Sequence, residues 1–328
     1  MKGKMLILLA VICSFTACVK EELVGPSEGE DITITASLST EAIQSKATEA
    51  GSTEEKTMTK GIILVFWQAG GDDAACIGVA ETTPSNEGKT MSAKVKTKIG
   101  KVRFVAVGNA EEKLQSALKG ITTYGGLKSL ITEQQLKEAN NLIKVGEYGV
   151  TLDHSTTQVQ FSVYQIPAFV KLTLGLKKPE SGWSYSILNS GSNLVSVSEM
   201  AKNSPLMLEK YNEDNSSSYI YSTNQVFGTA DLTVGEKVLS FYTYEKKTAN
   251  APLKLEIPVS LQKGVTSKTI IYKLDLNPVE SGDSKTNGIV HGYYYDVQAK
   301  IDPKDPEIDL EVTVKSWEIC NVEVNYGK

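Results

Sequence analysis

Ile308-Asp309-Leu310-Glu311-Val312-Thr313-Val314 alternates apolar and polar side chains without a break. A period of two is the spacing of a half-buried β-strand, whose successive side chains point to opposite faces. The alternation loses phase at Lys315-Ser316, resumes with Trp317 and Ile319, and loses it again before Val322, Val324 and Tyr326. Each loss turns the apolar set to the other face, so a bulge or a change of partner sheet is expected there. Termini usually fray, so a strand pattern this long at the chain's end requires something to pair with it.

The same period recurs upstream. Ile32, Ile34, Ala36 and Leu38 fall on one face of an extended stretch near the start. Gly61–Trp67 and Val102–Val107 are continuous apolar runs, the signature of strands covered on both faces. In the second half, strands are expected over Trp183–Leu188, Tyr219–Ser222, Val238–Tyr244, Leu253–Leu261, Thr269–Leu274 and Tyr293–Ile301, separated by polar and Gly/Pro-containing turns. Helical spacing is confined to two short stretches. One is Glu111–Leu118, with Asn109 as its cap; the other is Thr132–Ala139, where Thr132 and Gln135 stand at capping-box spacing. Pro167 interrupts the alternation of Thr157–Leu176 and marks a strand end, an edge or a crossover. The class is all-β with minor short helices, in sandwich form.

Composition agrees. The chain has 328 residues, 34 basic and 39 acidic side chains, a net charge of −5, 41% hydrophobic residues and 22% charged residues. That excludes disorder and provides no basic footprint for nucleic acid. At roughly 100–200 residues per domain the length suggests two domains. Two histidines and four cysteines leave little material for a metal site. His154 and His291 read as loop or surface histidines, and Asp72-Asp73 as a polar loop rather than a calcium turn. No nucleophile elbow, P-loop or dinucleotide fingerprint occurs, so no catalytic residue, metal ligand or cofactor is expected.

Lys2 and Lys4 precede an apolar run, Met5–Phe15, too short to span a bilayer and suited to a secretory signal. Ser14-Phe15-Thr16-Ala17-Cys18 then resembles the lipobox of bacterial lipoproteins, with Phe15 in place of the usual Leu. That resemblance implies a signal peptide over residues 1–17 and acylation, palmitate included, at Cys18. The following Val19-Lys20-Glu21-Glu22 resembles the surface-export tag of lipoproteins in Bacteroides-like bacteria. Cys76 and Cys320 remain for the folded part, where two small buried hydrophobes are the better reading than a bridge.

Several segments, taken in order, resemble the fimbrillin family, the type V pilins of Bacteroides-like bacteria. They are the lipobox with its charged leader, Lys101–Ala110 ending in Asn109-Ala110, Phe241-Tyr242-Thr243-Tyr244-Glu245, Val290–Val297 with its three tyrosines, and the closing strand with Trp317. Where the family often has Arg-Asn, this chain has His291-Gly292. The resemblance implies two transthyretin-like β-sandwich domains, residues 47–165 and 166–328, the second including a C-terminal donor strand over 307–328. It also implies a lipidated leader, residues 18–46, that holds the first strand and is removed on maturation by a protease cutting after Lys or Arg. Lys46-Ala47 lies in a stretch of small polar residues and fits that cut; Lys56 and Lys60 compete with it.

In that scheme Ile32, Ile34, Ala36 and Leu38 form the displaced strand. The groove they leave is filled by a neighbour's Ile308, Leu310, Val312, Val314, Trp317, Ile319, Val322, Val324 or Tyr326. Recovering the cover of about three large aliphatic side chains is worth on the order of 5–9 kcal/mol. Strand addition supplies ladder bonds for affinity and alternate side chains for specificity. The implied product is a cell-surface fimbria supporting adhesion. Its partners would be other pilin subunits, tip or anchor subunits among them, with the outer membrane reached through the lipid before cleavage. The full alternating tail favours a shaft over a tip subunit and leaves an anchor open. A surface glycan-binding lipoprotein of a polysaccharide-uptake system is the alternative, and a glycoside hydrolase a weaker third.

Overall fold

The structure is a computed structural model. It describes residues 30–38, 48–50, 55–67, 71–134, 139–188, 191–201, 203–207, 221–226, 237–245, 253–276, 289, 291–302 and 308–318. In chain order the elements begin with β1 (Glu30–Leu38), β2 (Thr48–Ala50), β3 (Gly61–Trp67), β4 (Cys76–Thr82), β5 (Thr90–Thr97) and β6 (Gly100–Gly108). Helices α1 (Glu112–Lys119) and α2 (Tyr124–Lys128), the short β7 (Ile131–Thr132), a 3-10 turn at Ala139–Asn141, β8 (Lys144–Leu152) and β9 (Gln158–Gln165) follow. Beyond them come β10 (Ala168–Leu176), β11 (Trp183–Ile187), β12 (Ser196–Ala201), β13 (Ser204–Pro205), β14 (Tyr221–Val226) and β15 (Lys237–Thr243). The last four are β16 (Leu253–Lys263), β17 (Thr266–Leu276), β18 (Tyr293–Ile301) and β19 (Ile308–Glu318).

Seven strands form one hydrogen-bonded path, β4-β3-β6-β8-β9-β1-β5. The path folds back on itself, because Ile34, Met91 and Val163 from one end share a core with Ile63, Val102 and Phe104 from the other. The fold-back occurs between β8 and β9, which pair only at Lys144↔Gln165 and Val145↔Tyr164 before they diverge. The next residue, Gly146, passes so close to β9 that a Cβ there would lie 2.0 Å from the Ser162 carbonyl oxygen. Only a residue without a side chain fits that crossing.

β3 and β6 read as unbroken apolar runs because both of their faces are covered. Ile63 and Phe104 face the inter-sheet core. Ile62, Leu64, Phe66, Val105 and Val107 pack on the other side under Leu114 and Leu118 of α1 and Tyr124 and Leu127 of α2. The helices thus cap a sheet face that would otherwise meet water.

The second half builds two further sheets, β15-β10-β18-β19-β2 and β11-β16-β12-β14, with β17 returning along β16 as a hairpin. Val170, Leu172, Tyr295 and Val297 of the first share a core with Val197, Leu255, Ile257 and Val259 of the second. Pro167 sits in the two-residue link between β9 and β10, where the chain leaves one sheet for the next. This fits the expected crossover. The short β7–β13 pair, Thr132↔Ser204 and Ile131↔Pro205, ties residues of the two halves together.

Three local expectations are corrected. The helix read at Thr132–Ala139 is not formed at its start, because Thr132 lies in β7 and its hydroxyl accepts from Gln134 N–H at 3.3 Å. A helix one turn earlier, α2, is capped instead by Thr123, whose Oγ1 accepts from Gly126 N–H at 3.1 Å. Asn109 does not cap α1, whose N-cap position is Glu111. Finally, no bulge occurs at Lys315-Ser316, where β19 keeps register with β18 through Tyr294↔Lys315 and Tyr293↔Ser316.

Candidate functional site

β1 is an interior strand of the seven-stranded path. It runs parallel to β9, from Thr33↔Gln158 to Leu38↔Val163, and antiparallel to β5, from Glu30↔Thr97 to Ser37↔Thr90. Ile32, Ile34 and Ala36 are buried in the inter-sheet core, with Ile34 and Ala36 at 0% exposure. The alternation leaves Thr33, Thr35 and Ser37 half-buried on the outer face, where the Thr35 and Ser92 hydroxyls meet at 3.1 Å. Ala36 lies opposite Met91 on one side and Phe161 on the other, whereas Ile34 lies between Ala93 and Val159. Large side chains therefore flank the small position and small ones flank the large. The slot that β1 fills is shaped along its length.

The terminal strand is held differently. β19 pairs along Ile308–Ser316 with β18 of its own sheet. Ile308, Leu310, Val312, Val314 and Trp317 thus lie in a strand of this chain's own body at the level of the backbone. Among the described residues its other side carries β2 alone, in a parallel pairing Ser316↔Thr48, Trp317↔Glu49 and Glu318↔Ala50. β18 begins at Tyr293, so Trp317 and Glu318 run past it and are paired by β2 alone among the described residues. Nothing in the sequence signals β2, since three residues carry no period. Cys18, Lys46, Ala47, Ile319, Val322, Val324 and Tyr326 lie outside the described residues.

The alternative cleavage positions are visible. Lys56 and Lys60 are half-buried in a stretch anchored by Met58 N–H donating to the Gly88 carbonyl at 2.7 Å. Asn109 reinforces that anchor. It adopts φ +59°, its Oδ1 accepts from Thr59 N–H at 2.8 Å, and its Nδ2 donates to the Thr57 and Leu142 carbonyls at 3.0 and 3.2 Å. Its backbone N–H donates to the Lys60 carbonyl at 2.9 Å. Asparagine tolerates positive φ, and here the residue at the end of the apolar β6 run brackets three chain segments.

A buried polar cluster lies where the two halves meet. Lys144 Nζ is fully buried and donates to the Leu142 carbonyl at 3.0 Å. Burial pulls its ammonium down from 10.5 to about 7, against the opposing attraction of Glu55. Tyr242 of β15 reaches across to donate to Glu55 Oε1 at 2.6 Å. His291 pairs through Nδ1 with the buried Glu245 at 2.5 Å, and its backbone N–H donates to the same carboxylate at 3.2 Å. The loop histidine is therefore a joint between Glu245, just after β15, and the start of β18.

Cys76 is half-buried, and burial raises its thiol. Trp67 and Trp183 are half-buried and pack against the cores. Among the described residues no three His, Cys, Asp or Glu side chains gather as a metal site, and no helix is long and apolar enough to cross a membrane.

No family model and no curated sequence matches the chain. Solved structures do. A candidate cell adhesion protein from Parabacteroides distasonis aligns with a TM-score of 0.67 at 14% identity, covering 89% of this chain and 98% of that one. The tip fimbrial protein Mfa3 from Porphyromonas gingivalis, with a C-terminal truncation, aligns at 0.58 and 11% identity, covering 88% and 100%. A fimbrilin from the same organism aligns at 0.57 and 14% identity, covering 89% and 99%. The chain has the fold of these Bacteroidales fimbrial and adhesion proteins along most of its length.

Proposed function

We propose that the chain is the lipoprotein precursor of a fimbrial subunit, a structural protein with no catalytic step. In this reading Cys18 is acylated after removal of residues 1–17, and the chain reaches the cell surface on its lipid. A protease then cuts after Lys46, releasing β1 with the leader, and the vacated slot accepts the C-terminal strand of another copy. The two bodies are read as sandwich domains of residues 47–165 and 166–328. The contact is head-to-tail, so it propagates into a filament and does not close.

The observation that carries the reading is the position of β1. A strand near the chain's start fills an interior position between β9 and β5, and its loss leaves two unpaired ladders and a slot lined by buried apolar side chains. Such a slot is expected to take an extended chain of alternating pattern. Lys46 is favoured over Lys56 and Lys60 because those two sit in backbone tied to β6 and to the Gly88 turn, where a protease would first have to unfold the chain. Since residues 308–318 are already seated in their own sheet, the donor is narrowed to the residues beyond them, with Val322, Val324 and Tyr326 at alternate positions.

The test treats the soluble precursor with a lysine-specific protease and follows its assembly. Cleavage at Lys46 followed by concentration-dependent, denaturant-resistant oligomers is the expected result. A chain that is cut there, loses β1 and remains monomeric at high concentration would overturn the proposal.

A further inference from the structure

We infer that β2 is a clasp that holds the donor end of the chain until the maturation cut loosens it. This rests on the strand-exchange reading above and adds its regulation: a single cleavage opens the acceptor slot and frees the donor.

The geometry is local. β19 outruns β18 by Trp317 and Glu318, and those two residues are kept in a sheet by Glu49 and Ala50 of β2. They are the base of the segment that continues into residues 319–328. Whatever holds Trp317 and Glu318 therefore restrains the tail at its root.

β2 is itself restrained by what flanks it. On one side nine residues, 39–47, connect it to β1, whose Ile32, Ile34 and Ala36 are locked in the inter-sheet core. On the other side it continues to Glu55 and Met58, both buried, and then to β3. A strand of three residues pairs weakly by itself, and anchoring at both ends is what holds it in place. A cut between Lys46 and Ala47 leaves Thr48 as the second residue of a new chain. β2 then changes from an internal segment tied at both ends into a terminus, and termini fray. The released Trp317 and Glu318 regain an open edge at the moment neighbouring slots open. An uncut chain is consequently a poor donor as well as a closed acceptor, which guards against premature assembly.

The test separates donation from acceptance using full chains. The acceptor is cut protein carrying Val322→Asp and Val324→Asp, which has an open slot and a spoiled tail. The donors are uncut chains: wild type, Glu49→Pro, and Thr48→Pro/Ala50→Pro. Between them the two variants remove whichever N–H groups of β2 face β19. Hydrogen exchange at Trp317 and Glu318 is expected to accelerate at least tenfold in one or both uncut variants, with exchange in β18 unchanged. The same variant should form mixed dimers at least tenfold faster than the uncut wild type. Unchanged exchange at Trp317 and Glu318 in both variants would overturn the clasp, whatever the assembly result. So would an uncut wild type that donates as fast as the variants when a cut wild-type donor does form dimers. If a cut wild-type donor also forms no dimers while exchange responds as expected, the clasp stands and the strand-exchange reading falls.

Discussion

β1 and β19 are both alternating strands near a chain end, yet the fold treats them oppositely. β1 has a partner along most of its length on each side and keeps Ile32, Ile34 and Ala36 at 3% exposure or less. β19 has one long partner and, on its other side, three residues of β2. An interior strand can leave only if the chain is cut and something of like pattern replaces it. A strand near an edge can be peeled from one side while the rest of its sheet persists. In the function proposed above, β1 is the part to be substituted and the end of β19 the part that moves, and the two pairings differ in the sense that reading requires.

The sharpest way to break that contrast is Ile34→Asp. A carboxylate at 0% exposure has no partner there, and the uncut precursor should lose about 4 kcal/mol or more of stability, or fail to accumulate folded. Denaturant melts of the soluble fraction would measure it. A loss under 1 kcal/mol would show that β1 does not cover the core.

Next comes Asn109→Ala, which removes the bracket on Thr57, Thr59 and Leu142 beside Lys56 and Lys60. About 2–3 kcal/mol should be lost, together with faster proteolysis at Lys56 and Lys60. If those two bonds are cut no faster, hydrogen bonding at this end of β6 is not what protects them.

Lys144→Met addresses the joint. Lys144 titrates near 7 in the folded chain and at 10.5 when unfolded, so the unfolded state holds the extra proton between those values. Stability should therefore rise with pH across that window, with a contribution of up to about 1.4 kcal/mol per pH unit, and the substitution should flatten the slope. Thermal melts at pH 6, 8 and 9.5 would reveal it, and a wild-type melting point that falls steadily over the range would contradict the buried-amine argument.

The smallest expected change in the monomer belongs to Val322→Asp. If its role is that of the donor proposed above, it should move precursor stability by less than about 0.5 kcal/mol while abolishing polymer after cleavage. A strongly destabilised precursor would mean that Val322 serves the chain's own core.

Much of the fold was legible because its period survives in the residues. β3 and β6 announced double cover through unbroken apolar runs, and β1, β10 and β18 through clean alternation. β5 was passed over although Met91, Ala93 and Val95 alternate cleanly; other elements that escaped had a weaker signal. α2 contains two glycines and spans five residues, so its helical signal was below that of the neighbouring Thr132–Gln135 spacing, whose first residue proved to lie in β7. β12 was missed because Glu199 has φ +60° and the strand's pairing with β14 shifts register there. At the candidate site β1 was evident, but β2 was not. Asn109 was noticed for the wrong reason: its type suits a helix start, and only the fold brings Thr57 and Leu142 to it.

The parallel pairing of β1 with β9 sets an order of events during synthesis. Ile34 emerges early, but Val159, its neighbour across the ladder, follows roughly 125 residues later. Contacts so distant along the chain form slowly, because a long loop must close before they are rewarded. β1 can meet β5 first, about 60 residues on, but its second ladder stays open until β9 arrives, so the strand is locked in among the last events of its sheet. On the strand-exchange reading proposed above, a strand locked in late is the one its scaffold is best suited to exchange for another of like pattern.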